Sequence, residues 1–277
     1  MRAIWSNIAV TYFYQGRFDL ALDYYRDVER QLGDDLEALP VSMKAIAQHN
    51  QNALGLTLVE LGQYAEAKAY FNRALKLVRE LNSPEMMAYL YLNMGAANYW
   101  LKDYTEAQDC FAQGQNLAER IEHPRLHIDM MVAQATLASA RFMHSAAFRL
   151  LRTAMIQAEA NHLPIQVTRI LVVAAKAYLR MEAYDSAQAQ FKKILYLPRP
   201  EIKWAVHTLF GLILCELLKS SLVGENRTEP ALDAVHALLS APPSSLADAL
   251  SISGEQFGSY LERAECEFQL EMDQLPE

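Results

Sequence analysis

Thirty residues, Asn50 to Arg79, set a pattern that returns along most of the chain. Each repeat carries a small residue in its first half: Ala9, Gly55, Gly95, Ala135, Ala175 and Gly211. Twelve positions after each of the first five stands an alanine (Ala21, Ala67, Ala107, Ala147, Ala187). Four positions further on stands a large side chain: Tyr25, Phe71, Phe111, Leu151 or Phe191. Between the halves lies an aromatic (Phe18, Tyr64, Tyr104, Tyr184), with His144 in the fourth repeat. Small residues let two helices approach closely, and an aromatic fills the gap between them. A chain so constrained is expected to form paired helices, each pair leaving one apolar face for the next pair to cover.

Successive small residues lie 46, 40, 40, 40 and 36 apart, and Pro84, Pro124 and Pro164 mark three repeat boundaries at a spacing of forty. The positions Trp5, Ile8, Ala9, Tyr12, Gly16, Phe18, Ala21 and Tyr25 resemble the tetratricopeptide repeat, a helix–turn–helix of about 34 residues. The resemblance covers roughly residues 3 to 218, and the repeat around Ala135 to Ala154 fits it least well. Such long repeats are similar to those of bacterial regulators and sensor regions, and they also occur in eukaryotic scaffolds. The implied fold is all-α: a right-handed α-solenoid of about six helical hairpins with a C-terminal capping helical region. The expected layout is a solenoid over residues 1–221 and an irregular helical capping region of the same domain over 222–277.

Between the first two repeats the chain is longer, with a break at Gly33–Asp35 and a new helix starting near Pro40. Pro198 and Pro200 shorten the fifth repeat. A first helix follows over Trp204 to Lys219, then a polar loop, SSLVGENRTEP. Pro230 can open a helix, ALDAVHALLS, before APPSS breaks the chain again. From Gly254 to Asp273, Phe257, Tyr260, Leu261, Ala264, Phe268 and Met272 recur at helical spacing on an otherwise charged helix, suited to shielding the last open face. The sequence starts inside a repeat helix. Either the first repeat is its own cap or the chain is a piece of a longer protein, and the second is the expectation.

Composition narrows function by exclusion. A formal net charge of −8 argues against nucleic acid and anionic membrane surfaces as partners, since phosphate contacts need a basic face. Three scattered cysteines and no leader-like apolar start point to a reducing, cytoplasmic setting. Catalytic and cofactor signals are weak. His123 and His127 have a metal-like spacing, but Pro124 interrupts the shared helix face, so no metal is expected. Cys110 and Cys215 read as core residues, and the cluster Met86, Met87, Met94, Met130 and Met131 reads as gap-filling in the core rather than as an adaptable binding surface.

The family resemblance implies that the first helices line a concave groove that holds a protein or peptide. The groove candidates are His49 and Asn52 in the second repeat, Tyr89, Tyr99 and Trp100 in the third, Asp129 and Thr136 in the fourth, and Arg169, Lys176 and Arg180 in the fifth. The last three are spaced seven and four, on one helix face. They are either a basic patch that meets a carboxylate or phosphate of the ligand, or a solvated face. The Lys/Asn clamp with which some relatives hold a peptide carboxylate is not reproduced, because Leu56, Leu92 and Ala96 stand where polar groups are needed. The leading expectation is a non-enzymatic peptide- or protein-binding scaffold without cofactor. The alternative is the sensory input domain of a larger signalling or transcription-regulatory protein, binding a small molecule or signalling peptide.

Overall fold

The computed structural model describes residues 2–197, 202–220 and 254–272. The expected loop after Lys219, the ALDAVHALLS helix and the APPSS break lie outside the described residues. Among the described residues the chain forms twelve helices: α1 (Arg2–Tyr14), α2 (Phe18–Leu32), α3 (Val41–Glu60), α4 (Tyr64–Glu80), α5 (Pro84–Trp100), α6 (Tyr104–Arg120), α7 (Pro124–Ala140), α8 (His144–Ala160), α9 (Pro164–Arg180), α10 (Tyr184–Leu195), α11 (Ile202–Ser220) and α12 (Gly254–Met272). They pack as sequential helical hairpins, an all-helical solenoid fold.

The second helix of each pair is amphipathic. In α4, Ala67, Tyr70, Phe71, Ala74, Leu75 and Val78 are buried at spacings of three and four, while Arg73, Lys76 and Arg79 face water. The first helices α3, α5 and α9 are buried on more sides, because each lies between its own partner and the second helix of the preceding pair. Thus α5 packs on both α4 and α6, and it buries Ala88, Leu90, Tyr91, Met94, Gly95, Ala97 and Asn98. Pro84 and Pro164 are the first residues of α5 and α9, where a proline's missing N–H costs nothing.

The chain divides into two compact units, Met1–Ala133 and Gln134–Glu277. In the N-terminal unit, Ala9, Ala21, Leu54, Leu58, Phe71 and Leu90 belong to one continuous core. Trp5, Leu36, Leu39 and Met43 pack against a smaller cluster of Val28, Leu32, Ala47 and Leu77, which anchors the long α2–α3 connection. In the C-terminal unit, α9, α10 and α11 share a core with α12, to which α12 contributes Phe257, Leu261, Ala264 and Phe268. Cys110 and Cys215 are buried, and burial pushes their thiols up to about 11 and about 12, so both stay protonated and unreactive at neutral pH.

Candidate functional site

In the N-terminal unit the first helices α1 and α3 leave a cleft of about 450 Å³. One wall is α1, with Ser6, Val10, Phe13 and Tyr14; the other is α3, with His49, Asn52, Ala53 and Leu56. Tyr25 of α2 also lines it. The repeat explains the arrangement. The small residues Ala9 and Gly55 turn towards the interior of their hairpins, so the residues that follow them, Val10 and Leu56, come to the cleft. The cleft is apolar and open: Val10 is 39% exposed and Tyr14 71%. Tyr25 is buried, and desolvation, with Tyr14 adding to it, raises its phenol to about 12. It therefore remains a neutral donor at any physiological pH.

Two of the expected groove residues, His49 and Asn52, meet here. His49 is exposed. Asn52 is half-buried, and its Oδ1 accepts a hydrogen bond from Asn93 Nδ2 of α5 at 3.0 Å, which ties neighbouring first helices together. Tyr89, half-buried on α5, sits edge-on to His123 at 6.1 Å. Burial raises its phenol; Arg125 opposes the shift, and Glu85 and Asp129 add to it. Asp129 itself is buried. Tyr99 and Trp100 close the C-terminal end of α5. Tyr99 is buried against Trp100 and Tyr104, and Trp100 stacks on Tyr64 at 5.8 Å.

In the C-terminal unit, Thr136 and Arg169 are half-buried, whereas Lys176 and Arg180 are buried and form no solvated face. Arg180 donates to Ser139 Oγ at 2.9 Å, and Lys176 donates to Glu267 Oε2 of α12 at 2.8 Å. The remaining histidine pair is occupied by local contacts. His123 Nδ1 accepts from the Leu126 amide at the start of α7, its Nε2 lies 3.5 Å from Glu85, and His127 lies 3.8 Å from Glu119.

The α1 wall was missing from the sequence-derived groove residues, although the register contains it. Ser6 and Val10 precede and follow Ala9 just as Asn52 and Leu56 precede and follow Gly55. The partners of Lys176 carried no such signal, because Glu267 stands 91 residues away, outside the repeat.

Family comparison agrees with this architecture. The tetratricopeptide repeat profile matches residues 50–81, and a second tetratricopeptide repeat profile matches residues 5–28. The chain carries tetratricopeptide repeats over these residues. No curated protein matches its sequence. Among solved structures, the apo form of RapI superposes with a TM-score of 0.56 at 11% identity, over 98% of this chain and 84% of that one. A signal transduction ATPase with numerous domains from Pyrococcus horikoshii, described as having a tetratricopeptide repeat sensor, superposes with a TM-score of 0.58 at 13% identity. That match covers 98% of this chain but 43% of the ATPase chain. At such identities the likeness is one of fold. No helix among the described residues is long and apolar enough to cross a membrane.

Proposed function

We propose that this chain is a non-catalytic binding module that takes a peptide or protein segment on the first-helix face of its N-terminal unit. The observation that carries this reading is the open α1–α3 cleft, where Val10, Phe13, Tyr14 and Leu56 present apolar surface beside the polar groups of His49 and Asn52. Its volume, about 450 Å³, falls within the range of specific ligand sites, roughly 300–1,000 Å³. An exposed tyrosine is the kind of side chain that gains most when a partner covers it. One apolar anchor of the ligand fills the cleft, and Asn52 and His49 supply hydrogen bonds to its backbone.

The test is selection of phage-displayed peptides on the wild-type chain, followed by fluorescence anisotropy with the selected peptides. Val10→Asp places a charge on the apolar wall and His49→Ala removes a rim group, both at surface positions that the fold tolerates. Val10→Asp is expected to weaken binding by about tenfold or more, since burying an unpaired carboxylate is costly. Selected peptides that bind both variants as tightly as the wild type defeat the assignment of the cleft. Failure to select any peptide, together with saturable small-molecule binding lost in Val10→Asp, favours a sensory ligand in its place.

A further inference from the structure

Lys176 follows Ala175 as Leu56 follows Gly55 and Val10 follows Ala9. In the N-terminal unit that register position opens onto the cleft. In the C-terminal unit it is covered by α12. Lys176 is 7% exposed, donates to Glu267 Oε2 at 2.8 Å, and lies 5.2 Å from the centre of the Phe268 ring. Phe268 stacks on Phe210 of α11 at 5.0 Å and reaches Phe191 of α10 at 6.2 Å. His207 Nε2 lies 2.9 Å from the same carboxylate oxygen, and Arg263, one turn back on α12, lies 3.1 Å from the other. Lys176, His207, Arg263 and Glu267 are all more than nine-tenths buried.

We infer that α12 is an exchangeable occupant of the α9–α11 face, and that this face is a second binding site whose external ligand is an acidic amphipathic helix presenting an adjacent Glu–Phe pair. Two features separate this from a helix that only closes the end of the stack. Phe257, Leu261, Ala264 and Phe268 are buried at spacings of four, three and four, enough for an apolar seam without any charge. Placing a carboxylate among two cations and an imidazole adds little net stability over an apolar seam, because desolvation offsets the attraction. It does select which helix fits and in which register. The face without α12 keeps the Lys176 cation beside an apolar floor of Phe210 and Phe191, complementary to a carboxylate followed by an aromatic.

The experiment uses the full chain and a fluorescent peptide of residues 254–272. In the wild type the tethered helix competes at high effective concentration and the peptide binds weakly. In Glu267→Lys the chain's own helix brings a cation, beside its own Arg263, against Lys176 of α9, and the face is left for the peptide. The wild-type peptide is expected to bind this variant at least about tenfold more tightly than it binds the wild type. A peptide carrying the same Glu267→Lys change should not bind it. The double variant Lys176→Glu, Glu267→Lys restores the pair internally and should again exclude the wild-type peptide. A Glu267→Lys chain that keeps its helical circular dichroism yet takes the peptide no better than the wild type overturns the inference. If that variant loses its fold, hydrogen exchange of the wild type decides. Amides of α12 that exchange about tenfold or more faster than those of α9 and α11 mark a separate opening of α12. Exchange of all three helices in one common opening overturns the proposal.

Discussion

At the residue scale the repeat rests on glycine against aromatic. A Cβ added to Gly55 would lie 2.4 Å from Phe71 Cε1, and one added to Gly95 would lie 2.3 Å from Phe111 Cε1. Neither ring has room to move, because Phe71 and Phe111 are 0% and 2% exposed. Alanine is the better helix former by about 1 kcal/mol, but overpacking a filled core costs about 1–3 kcal/mol. Gly55→Ala and Gly95→Ala should therefore each destabilise the chain by roughly 1 kcal/mol net. Gly258 in α12 supplies the control. Nothing lies within 4 Å of its would-be Cβ, so Gly258→Ala should stabilise by about 0.5–1 kcal/mol. Urea unfolding midpoints of the three variants separate propensity from packing, and equal shifts of one sign would refute the account. The pairing of small residue with aromatic was legible in the sequence for these hairpins because it is local. It was not legible at Gly211, which faces Phe191 of the preceding hairpin at 2.4 Å, a contact fixed by how α11 docks on α10.

At the element scale the helices are cut to one length. From α4 to α9 each has 17 residues, joined by three-residue turns. Every turn places one residue in the left-handed region: Gly62, Asn82, Lys102, Glu122, Phe142, His162 and Glu182, twenty apart. The amide after it bonds back to the carbonyl five residues earlier, as Asp103 does to Asn98 and Met143 to Ala138, which satisfies carbonyls the helix end leaves open. This recurrence was invisible in the sequence. Only Gly62 of the seven is a glycine, and Lys, Glu and Phe give no left-handed signal; the packing of consecutive helices imposes the conformation on them. Bulky residues there are strained by about 1–2 kcal/mol. Phe142, half exposed at φ 57°, should gain about 0.5–1 kcal/mol of stability on Phe142→Gly after the entropy cost of glycine. Gly62→Ala, at φ 74° with open space around it, should lose about 1 kcal/mol through backbone strain alone. Melting temperatures that move the same way for both would show that packing, and not backbone conformation, governs these turns.

At the scale of the whole molecule, what the sequence made legible follows contact range. Contacts within a hairpin, such as Gly55 with Phe71 sixteen residues on, were readable from spacing. That α12 would cover the last open face was readable from its apolar stripe, whereas its charged contact was not, because Lys176 and Glu267 lie 91 residues apart and Glu267 stands outside the repeat. The basic residues of α9 were expected either to meet a carboxylate or phosphate of the ligand or to face water; Lys176 does neither here and pairs with Glu267 of the chain itself. That closure carries a pH signature through His207, which is fully buried. Desolvation lowers its imidazole to about 4, with Lys176 and Lys203 acting the same way and Glu267 opposing. Burial pushes the Glu267 carboxyl up, but Lys176, His207 and Arg263 outweigh it and hold the group well below the ordinary carboxylate range, so it stays ionised throughout this window. For His207 the folded value lies below the unfolded one, near 6.5, so between the two the unfolded chain binds more protons. Its contribution is therefore complete above pH 6.5 and is lost progressively as pH falls towards 4, an effect of about 3 kcal/mol. The stability of the wild type should decline over that range more steeply than that of His207→Gln, which cannot titrate there. Urea titrations at pH 7, 5.5 and 4.5 provide the comparison: parallel pH profiles for the two proteins would mean that the imidazole is not desolvated in the folded state, and that α12 does not seal the α9–α11 face.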